Sequence, residues 1–179
     1  MPTYVAFMRA LNVSGRFIKM AELAAHYEAL GHTQVSTFIN SGNVIFNSRS
    51  GAAAVQARTE AALAPLLGFS SEVFLRTPDE LARIAERAAG LLVAAPEVNV
   101  VFLKAALDAA QQQALQACQS EVDTLVADGR ELYWSCAVRQ SESRLSNAVL
   151  ERRLKLRATV RRVSTVQQLA GRWQGGSAP

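Results

Sequence analysis

Hydrophobic and polar positions along the chain follow two periods, one typical of strands and one of helices, and their order predicts the fold. Residues 4–11 are bulky and apolar on both faces, with Arg9 as the single charge, which indicates a central strand. Between Met20 and Leu30 the apolar residues recur every three or four positions, as on one face of a helix. Gly31 then stands where a helix-ending glycine is expected.

The next segments complete a recognisable unit. The stretch 35–46 is rich in branched and aromatic residues, and its polar centre at 40–43 predicts a hairpin in which Gly42 supplies a positive φ. A helix over 52–67 and a strand over 72–76 follow. The order of elements is β-α-β-β-α-β, which is the ferredoxin-like pattern.

The same order then repeats. Thr77 and Pro78 open a helix that leads through a connector to a strand from Asn99, and 127–130 carries the signal of a second tight hairpin. Thr165 is the expected N-cap of one further helix. We therefore predict an α+β protein with two tandem ferredoxin-like halves, antiparallel sheets and an extra C-terminal helix. The predicted boundaries are 1–76 for the first half, 77–98 for a linker helix and connector, 99–174 for the second half and 175–179 for a flexible tail.

Composition narrows the class of protein. No apolar run approaches the roughly 20 residues that a membrane helix needs, and the start of the chain lacks the layout of a signal peptide. We expect a cytoplasmic protein without membrane contact. The two cysteines, Cys118 and Cys136, have neither the spacing of a metal site nor a nearby histidine, so they are expected to be free thiols. No metal and no cofactor is predicted, and His26 is expected to be solvated.

Charge is distributed unevenly. Residues 139–172 hold nine basic and two acidic side chains, a net charge of +7, whereas the rest of the chain holds ten basic and thirteen acidic ones, a net charge of −3. Such a basic segment attracts polyanions, although a solvated basic helix face is the alternative interpretation, and the strands lack the aromatic pattern that stacks RNA bases. The candidate nucleic-acid-binding residues are Arg152, Arg153, Lys155, Arg157, Arg161 and Arg162.

The loop after the first strand is another candidate site. It leads into a helix N-terminus, where free N–H groups favour anions, but it lacks the glycine patterns of phosphate-binding loops. Alternatively, Arg9 forms an internal ion pair and Asn12 holds the turn. The polar tip of the hairpin should lie nearby, although turns favour such residues in any case. The candidate ligand-binding residues are Arg9, Asn12, Ser14, Gly15, Lys19, Asn40, Ser41, Gly42 and Asn43.

Two stretches carry a resemblance to a known family. Residues 4–15 read Tyr-Val-Ala-Phe-Met-Arg-Ala-Leu-Asn-Val-Ser-Gly, and residues 35–46 read Val-Ser-Thr-Phe-Ile-Asn-Ser-Gly-Asn-Val-Ile-Phe. They resemble the Leu-Leu-Arg-Gly-Ile-Asn-Val-Gly-Gly and Val-Arg-Thr-Tyr-Ile-x-Ser-Gly-Asn-Val-Val-Phe signatures of a bacterial domain-of-unknown-function family. The resemblance implies the two-half ferredoxin-like fold and implies no activity. Ala10 and Ser14 stand where the family has glycines.

No catalytic motif is recognisable, so the sequence does not specify a reaction. We expect a binding protein for a phosphate-bearing or other anionic ligand, with nucleic acid among the candidates. One alternative is an enzyme that acts on a small anionic metabolite positioned by Arg9 and Asn12. Another is an oligomeric interaction protein whose polar hairpin tips form interfaces. The sequence leaves the oligomeric state open.

Overall fold

The first half folds as predicted around a four-stranded antiparallel sheet. The computed structural model describes residues 1–11, 17–39, 42–92, 95 and 97–174. Strand order in this sheet is β2-β3-β1-β4, and the helices pack their apolar residues on one of its faces. The elements are β1 (Thr3–Met8), α1 (Met20–Ala29), β2 (Thr33–Phe38), β3 (Asn43–Asn47), α2 (Ala52–Leu67) and β4 (Val73–Arg76).

The second half repeats this topology. Its sheet is also antiparallel and four-stranded, in the order β6-β7-β5-β8, with the fully buried Trp134 in its core. Both halves are therefore ferredoxin-like. The elements are α3 (Pro78–Leu92), β5 (Glu97–Phe102), α4 (Ala109–Gln116), β6 (Asp123–Asp128), β7 (Glu131–Cys136), α5 (Asn147–Leu154), β8 (Thr159–Arg162) and α6 (Val163–Gln174).

Contacts divide the chain into two compact units. The first contains Met1–Glu80 together with the end of α6 from Arg172, and the second contains Leu81–Gly171. The division falls inside α3, so this helix begins in one unit and continues in the other. Within the described residues, no helix has both the length and the apolar character needed to cross a membrane.

Local capping explains where α3 begins. Thr77 and Glu80 form the predicted capping box, in which the Glu80 N–H donates to Thr77 Oγ1 at 3.3 Å and the Thr77 N–H donates to Glu80 Oε2 at 2.8 Å. The predicted C-terminal helix α6 is present, but its predicted N-cap was wrong. This helix begins at Val163 directly after β8, so Thr165 lies in its first turn rather than at its N-cap.

Two other details differ from the prediction. β5 begins at Glu97 rather than Asn99, because Glu97 and Val98 continue the pairing with β7. His26 is half-buried rather than solvated, and its Nε2 has no hydrogen-bond partner among the described residues. Both cysteines are free and buried.

Candidate functional site

The predicted loop and hairpin site lies at the end of β1. Phe7 stands opposite Asn43 in the antiparallel β1–β3 pair, and the Met8 N–H donates to the Gly42 carbonyl at 2.9 Å. The end of β1 therefore contacts the hairpin turn, as the sequence predicts. The remaining members of this set fall outside the described residues, namely Asn12, Ser14, Gly15, Asn40 and Ser41.

Gly42 and Asn43 both have structural roles. Gly42 has φ +73°, and a Cβ atom there would lie 3.1 Å from Met8 Cβ and 3.0 Å from Leu11 Cδ1. Asn43 is fully buried, and its Nδ2 donates to the Phe38 carbonyl at 2.9 Å. Position 42 thus requires a glycine, and the Asn43 amide stabilises the end of the hairpin through its bond to Phe38.

The charged residues of this site are partly compensated. Arg9 Nη1 lies 3.3 Å from Glu72 Oε2, and each side chain is 20% exposed. This is the internal ion pair that the sequence left as the alternative interpretation. Lys19 is exposed at the N-cap of α1, where its backbone N–H donates to Glu22 Oε2 at 3.3 Å. Arg9 and Glu72 contribute no net charge, so the described part of this site offers an anion little beyond Lys19.

One member of the predicted nucleic-acid-binding set is inside the protein. Arg161 is only 8% exposed, and its Nη1 donates to Thr159 Oγ1 and to the Val160 carbonyl, both at 2.8 Å. Burial lowers the pKa of Arg161 to about 10. Its guanidinium therefore adds no charge to a surface that a polyanion could contact.

The other basic residues of α5 and its C-terminal end are exposed but partly engaged. Arg153 donates to the backbone carbonyl that follows α4 at 2.7 Å, and Arg157 lies 3.8 Å from Glu151. Arg152 and Lys155 are exposed. These residues form a scattered basic surface.

The structure also reveals a cleft that the sequence pattern did not indicate. It opens beside the N-terminus of α5 and has a volume of about 720 Å³. Segments that are distant in sequence meet there: the start of β5, the loop between β7 and α5, and the end of β8. Its polar lining consists mainly of two arginines, three serines and one acid, which are Arg139, Arg162, Ser141, Ser143, Ser146 and Glu97.

Hydrogen bonds fix the walls of this cleft. The Gln140 N–H donates to Glu97 Oε2 at 3.1 Å, which joins the loop to the start of β5. Ser146 is the N-cap of α5, and its Oγ accepts from the Val149 N–H at 3.3 Å. Arg162 Nη2 lies 3.8 Å from Glu97 Oε1, and the arginine side chain is 72% exposed. The cleft thus has an anchored floor and an exposed guanidinium at its rim.

The buried carboxylate of Asp123 holds the loop between β7 and α5 in place. Asp123 Oδ2 accepts from Ser143 Oγ at 2.7 Å and from Ser120 Oγ at 3.0 Å, while its Oδ1 accepts from Trp134 Nε1 at 2.8 Å and from Cys136 Sγ at 3.1 Å. Burial raises the pKa of the Asp123 carboxyl, but these four hydrogen bonds together lower it below its usual value.

The same carboxylate accounts for the state of the cysteine. Burial and the hydrogen bond to Asp123 raise the pKa of the Cys136 thiol to about 12, so it stays protonated at neutral pH. Cys136 therefore acts as a hydrogen-bond donor to Asp123.

A second cleft, of about 460 Å³, lies between the end of α4 and α5. Its charged lining has an excess of acids, with Arg144 and Arg153 against Glu121, Asp123 and Glu142. Because Arg153 already donates to a backbone carbonyl, this cleft is less suited to an anion than the one beside the N-terminus of α5.

The fold and the cleft beside the N-terminus of α5 together describe an α+β protein with two ferredoxin-like halves and a polar cleft in the second half. The model of the family described as "Protein of unknown function (DUF1697)" matches residues 1–133, and the chain belongs to this family. A solved structure of a conserved bacterial protein from Streptococcus pneumoniae has a TM-score of 0.77 and 22% sequence identity, and the match covers 97% of this chain and 99% of that one.

The comparisons with known proteins bear on the fold and not on the cleft. No curated protein matches the chain. Except for Glu97, the polar lining residues all follow residue 133, beyond the stretch that the family model matches. The cleft is therefore assessed by its own geometry.

Proposed function

We propose that the protein binds a small ligand with a phosphate or comparable anionic group in the cleft beside the N-terminus of α5. The observation that supports this proposal is the convergence of Arg139, Arg162 and a helix N-terminus on one cleft. Guanidinium groups present planar forks of donors to oxyanions, and the first N–H groups of a helix attract negative charge. Exposed hydroxyls of Ser141 and Ser146 can donate further hydrogen bonds.

Arg162, which is exposed at the edge of the cleft, is available to an incoming anion. Its 3.8 Å separation from Glu97 is longer than a hydrogen bond, and the pair is solvated on the arginine side. An ion pair at this distance with one solvated partner is weak, and exposed pairs typically contribute about 0–1 kcal/mol. A bidentate bond to a phosphate oxygen pair would be stronger, so the ligand can compete for Arg162.

Size and composition favour a small molecule over a nucleic acid. The volume of about 720 Å³ is in the range of small-molecule pockets. Among the described residues that line the cleft there is no aromatic side chain on which a base could stack. Glu97 is the one acid in that lining, and a reaction would need further groups, so we propose binding without catalysis.

The test is to titrate the protein with inorganic phosphate and with ethyl phosphate, and to measure binding by calorimetry and by the amide chemical shifts of the protein. We expect Arg162→Gln and Arg139→Gln each to weaken binding about tenfold, which corresponds to about 1.4 kcal/mol. Arg152→Gln is the matched control, because Arg152 is an exposed arginine on α5 that does not line the cleft. The proposal is wrong if the unmodified protein binds neither phosphate, or if the control weakens binding as much as Arg162→Gln.

A further inference from the structure

We infer that the ligand of this cleft carries a hydrogen-bond-donating cation, such as a primary ammonium, a short distance from its phosphate. The inference rests on the proposed function and specifies its ligand class as aminoalkyl phosphate monoesters. It comes from two acceptor-bearing side chains on β5, because one carboxylate oxygen of Glu97 and the whole amide of Asn99 have no hydrogen-bond partner among the described residues.

Glu97 offers one carboxylate oxygen to a ligand. Its Oε2 is engaged by the Gln140 N–H at 3.1 Å, whereas its Oε1 is buried and has no hydrogen-bond partner among the described residues. Arg162 approaches Oε1 only to 3.8 Å. A buried carboxylate oxygen without a donor is costly, and an ammonium group that entered the cleft would supply that donor.

Asn99, which lies deeper in the fold, also lacks hydrogen-bond partners among the described residues. It is 1% exposed, and neither Oδ1 nor Nδ2 has a hydrogen-bond partner in the described part of the chain. Because side chains two residues apart share a face of a strand, Asn99 follows Glu97 on one face of β5. It stands directly opposite Arg162 on β8. Two neighbours of this unpartnered amide, Glu97 and Arg162, line the cleft, whereas Asn99 itself lies beneath them and stands opposite the buried Trp134 on β7. Its amide therefore adds an unused acceptor next to Glu97 and does not itself line the cleft.

Charge balance supports a ligand that is anionic at one end and cationic at the other. Arg139 and Arg162 give the lining two positive charges, and Glu97 gives it one negative charge. A phosphate monoester approaches a charge of −2 at neutral pH, and one ammonium group brings the ligand to about −1. Such a ligand neutralises the cleft, with its phosphate at the arginines and its amine at Glu97.

A matched pair of ligands tests the inference. Phosphoethanolamine and ethyl phosphate share the phosphate monoester and differ by the amine. We expect the unmodified protein to bind phosphoethanolamine about tenfold more tightly in calorimetric titrations, because a charge-assisted hydrogen bond forms only with the amine. In Glu97→Gln we expect this preference to disappear and the affinity for ethyl phosphate to be kept or raised, since glutamine still accepts from the Gln140 N–H.

The possible outcomes separate the two proposals. Equal affinity of the unmodified protein for both ligands overturns the inference and leaves the proposed function standing. Binding of neither ligand removes the proposed function itself. A preference that survives in Glu97→Gln also overturns the inference, because the amine would then bind elsewhere. Glu142→Gln, an exposed acid of the same loop outside this cleft, is the control and should keep the preference. The ligand comparison on the unmodified protein is decisive even if the Glu97 variant does not fold.

Discussion

At the scale of single residues, Asp123 connects the packing of the second half to its cleft. One carboxylate accepts hydrogen bonds from the turn before β6, from two side chains of β7 and from Ser143 in the loop that forms the cleft wall. Hydrogen bonds to a charged acceptor are stronger than neutral ones, so the bond from Ser143 to Asp123 is a main support of the loop before α5. The positions of Ser141 and Ser146 therefore depend on a residue that does not line the cleft beside the N-terminus of α5.

We predict that Asp123→Asn destabilises the protein by about 2–4 kcal/mol, because the amide group replaces an acceptor oxygen with a donor that faces existing donors. Urea unfolding at pH 7 measures the change. Asp128→Asn is the control, because Asp128 lies on the same strand but is 60% exposed, 3.8 Å from Arg87. Its effect should stay within about 0.5 kcal/mol.

The same variant should change the response to acid. The pKa of the Asp123 carboxyl is lower in the folded chain than in the unfolded one, so the unfolded state binds more protons as the pH falls. The stability contributed by this carboxylate is present at neutral pH and is lost as the pH drops through the folded pKa. We therefore expect a shallower loss of stability on acidification in Asp123→Asn. Equal slopes, or equal destabilisation by the two asparagine variants, would contradict the role assigned to Asp123.

At the scale of elements, local signals were sufficient for most of the fold. The helix over 52–67 was predicted from its apolar periodicity with its observed ends, and in the structure Gly51 is its N-cap and Gly68 ends it in a left-handed conformation. The α6 start was missed because β8 continues into the helix without a loop, which leaves no cap to recognise. The capping signal at Thr165 therefore indicated a boundary that the chain does not use.

The candidate sites were harder to predict than the elements. Strand pairing predicted that Arg9 lies near the hairpin. That Glu72 is the partner in its ion pair was not predicted, because a sequence pattern does not show how the side chains at a strand end are oriented. The cleft combines Glu97, the loop before α5 and Arg162, which come together only through pairing of β5 with β7 and β8. Three serines ahead of α5 were the one local signal, and they also suit ordinary capping.

The hairpin turn gives a prediction at this scale. Gly42→Ala should destabilise the protein by about 2–4 kcal/mol, because it combines an unfavourable positive φ with a methyl group pressed against Met8 and Leu11. Gly68→Ala is a matched control. Its φ of +70° is similar, but a Cβ there would meet nothing within 4 Å. We expect it to cost only the conformational part, about 1–2 kcal/mol, in parallel urea titrations. Equal losses in the two variants would show that the turn is not tightly packed on β1.

At the scale of the whole molecule, one topology occurs twice with different chemistry. In the first half an ion pair between Arg9 and Glu72 joins the ends of two strands. In the second half, two strands of the sheet contribute Glu97 and Arg162 to a cleft, where Arg162 Nη2 lies 3.8 Å from Glu97 Oε1. Folds of this class host many functions, so the ferredoxin-like topology itself does not select a ligand. The candidate function therefore depends on side chains that the second half places in its loop and strand ends.

The charge distribution leads to the last prediction. Residues 139–172 carry a net charge of +7, but Arg161 is buried, so fewer phosphates can be neutralised than the sequence suggests. We expect weak binding to single- and double-stranded nucleic acid that falls steeply with salt, since each neutralised phosphate releases counterions. Replacement of Arg152, Arg153 and Arg157 by glutamine should lower this binding about uniformly across sequences, because the contacts would be to phosphates and not to bases.

Fluorescence anisotropy with labelled oligonucleotides at about 20 mM and about 200 mM salt distinguishes this behaviour from specific recognition. Arg87→Gln is the control, because Arg87 is more than half exposed but lies on α3, outside the basic segment. Tight binding that persists at the higher salt and depends on base sequence would favour a nucleic-acid-binding function over a small anionic ligand. Binding that Arg162→Gln abolishes while the triple variant retains it would place the polyanion in the cleft instead, and the two ligands should then compete. With neither result, the scattered basic residues of α5 are interpreted as a solvated helix face, and the cleft beside its N-terminus remains the proposed site for an anion.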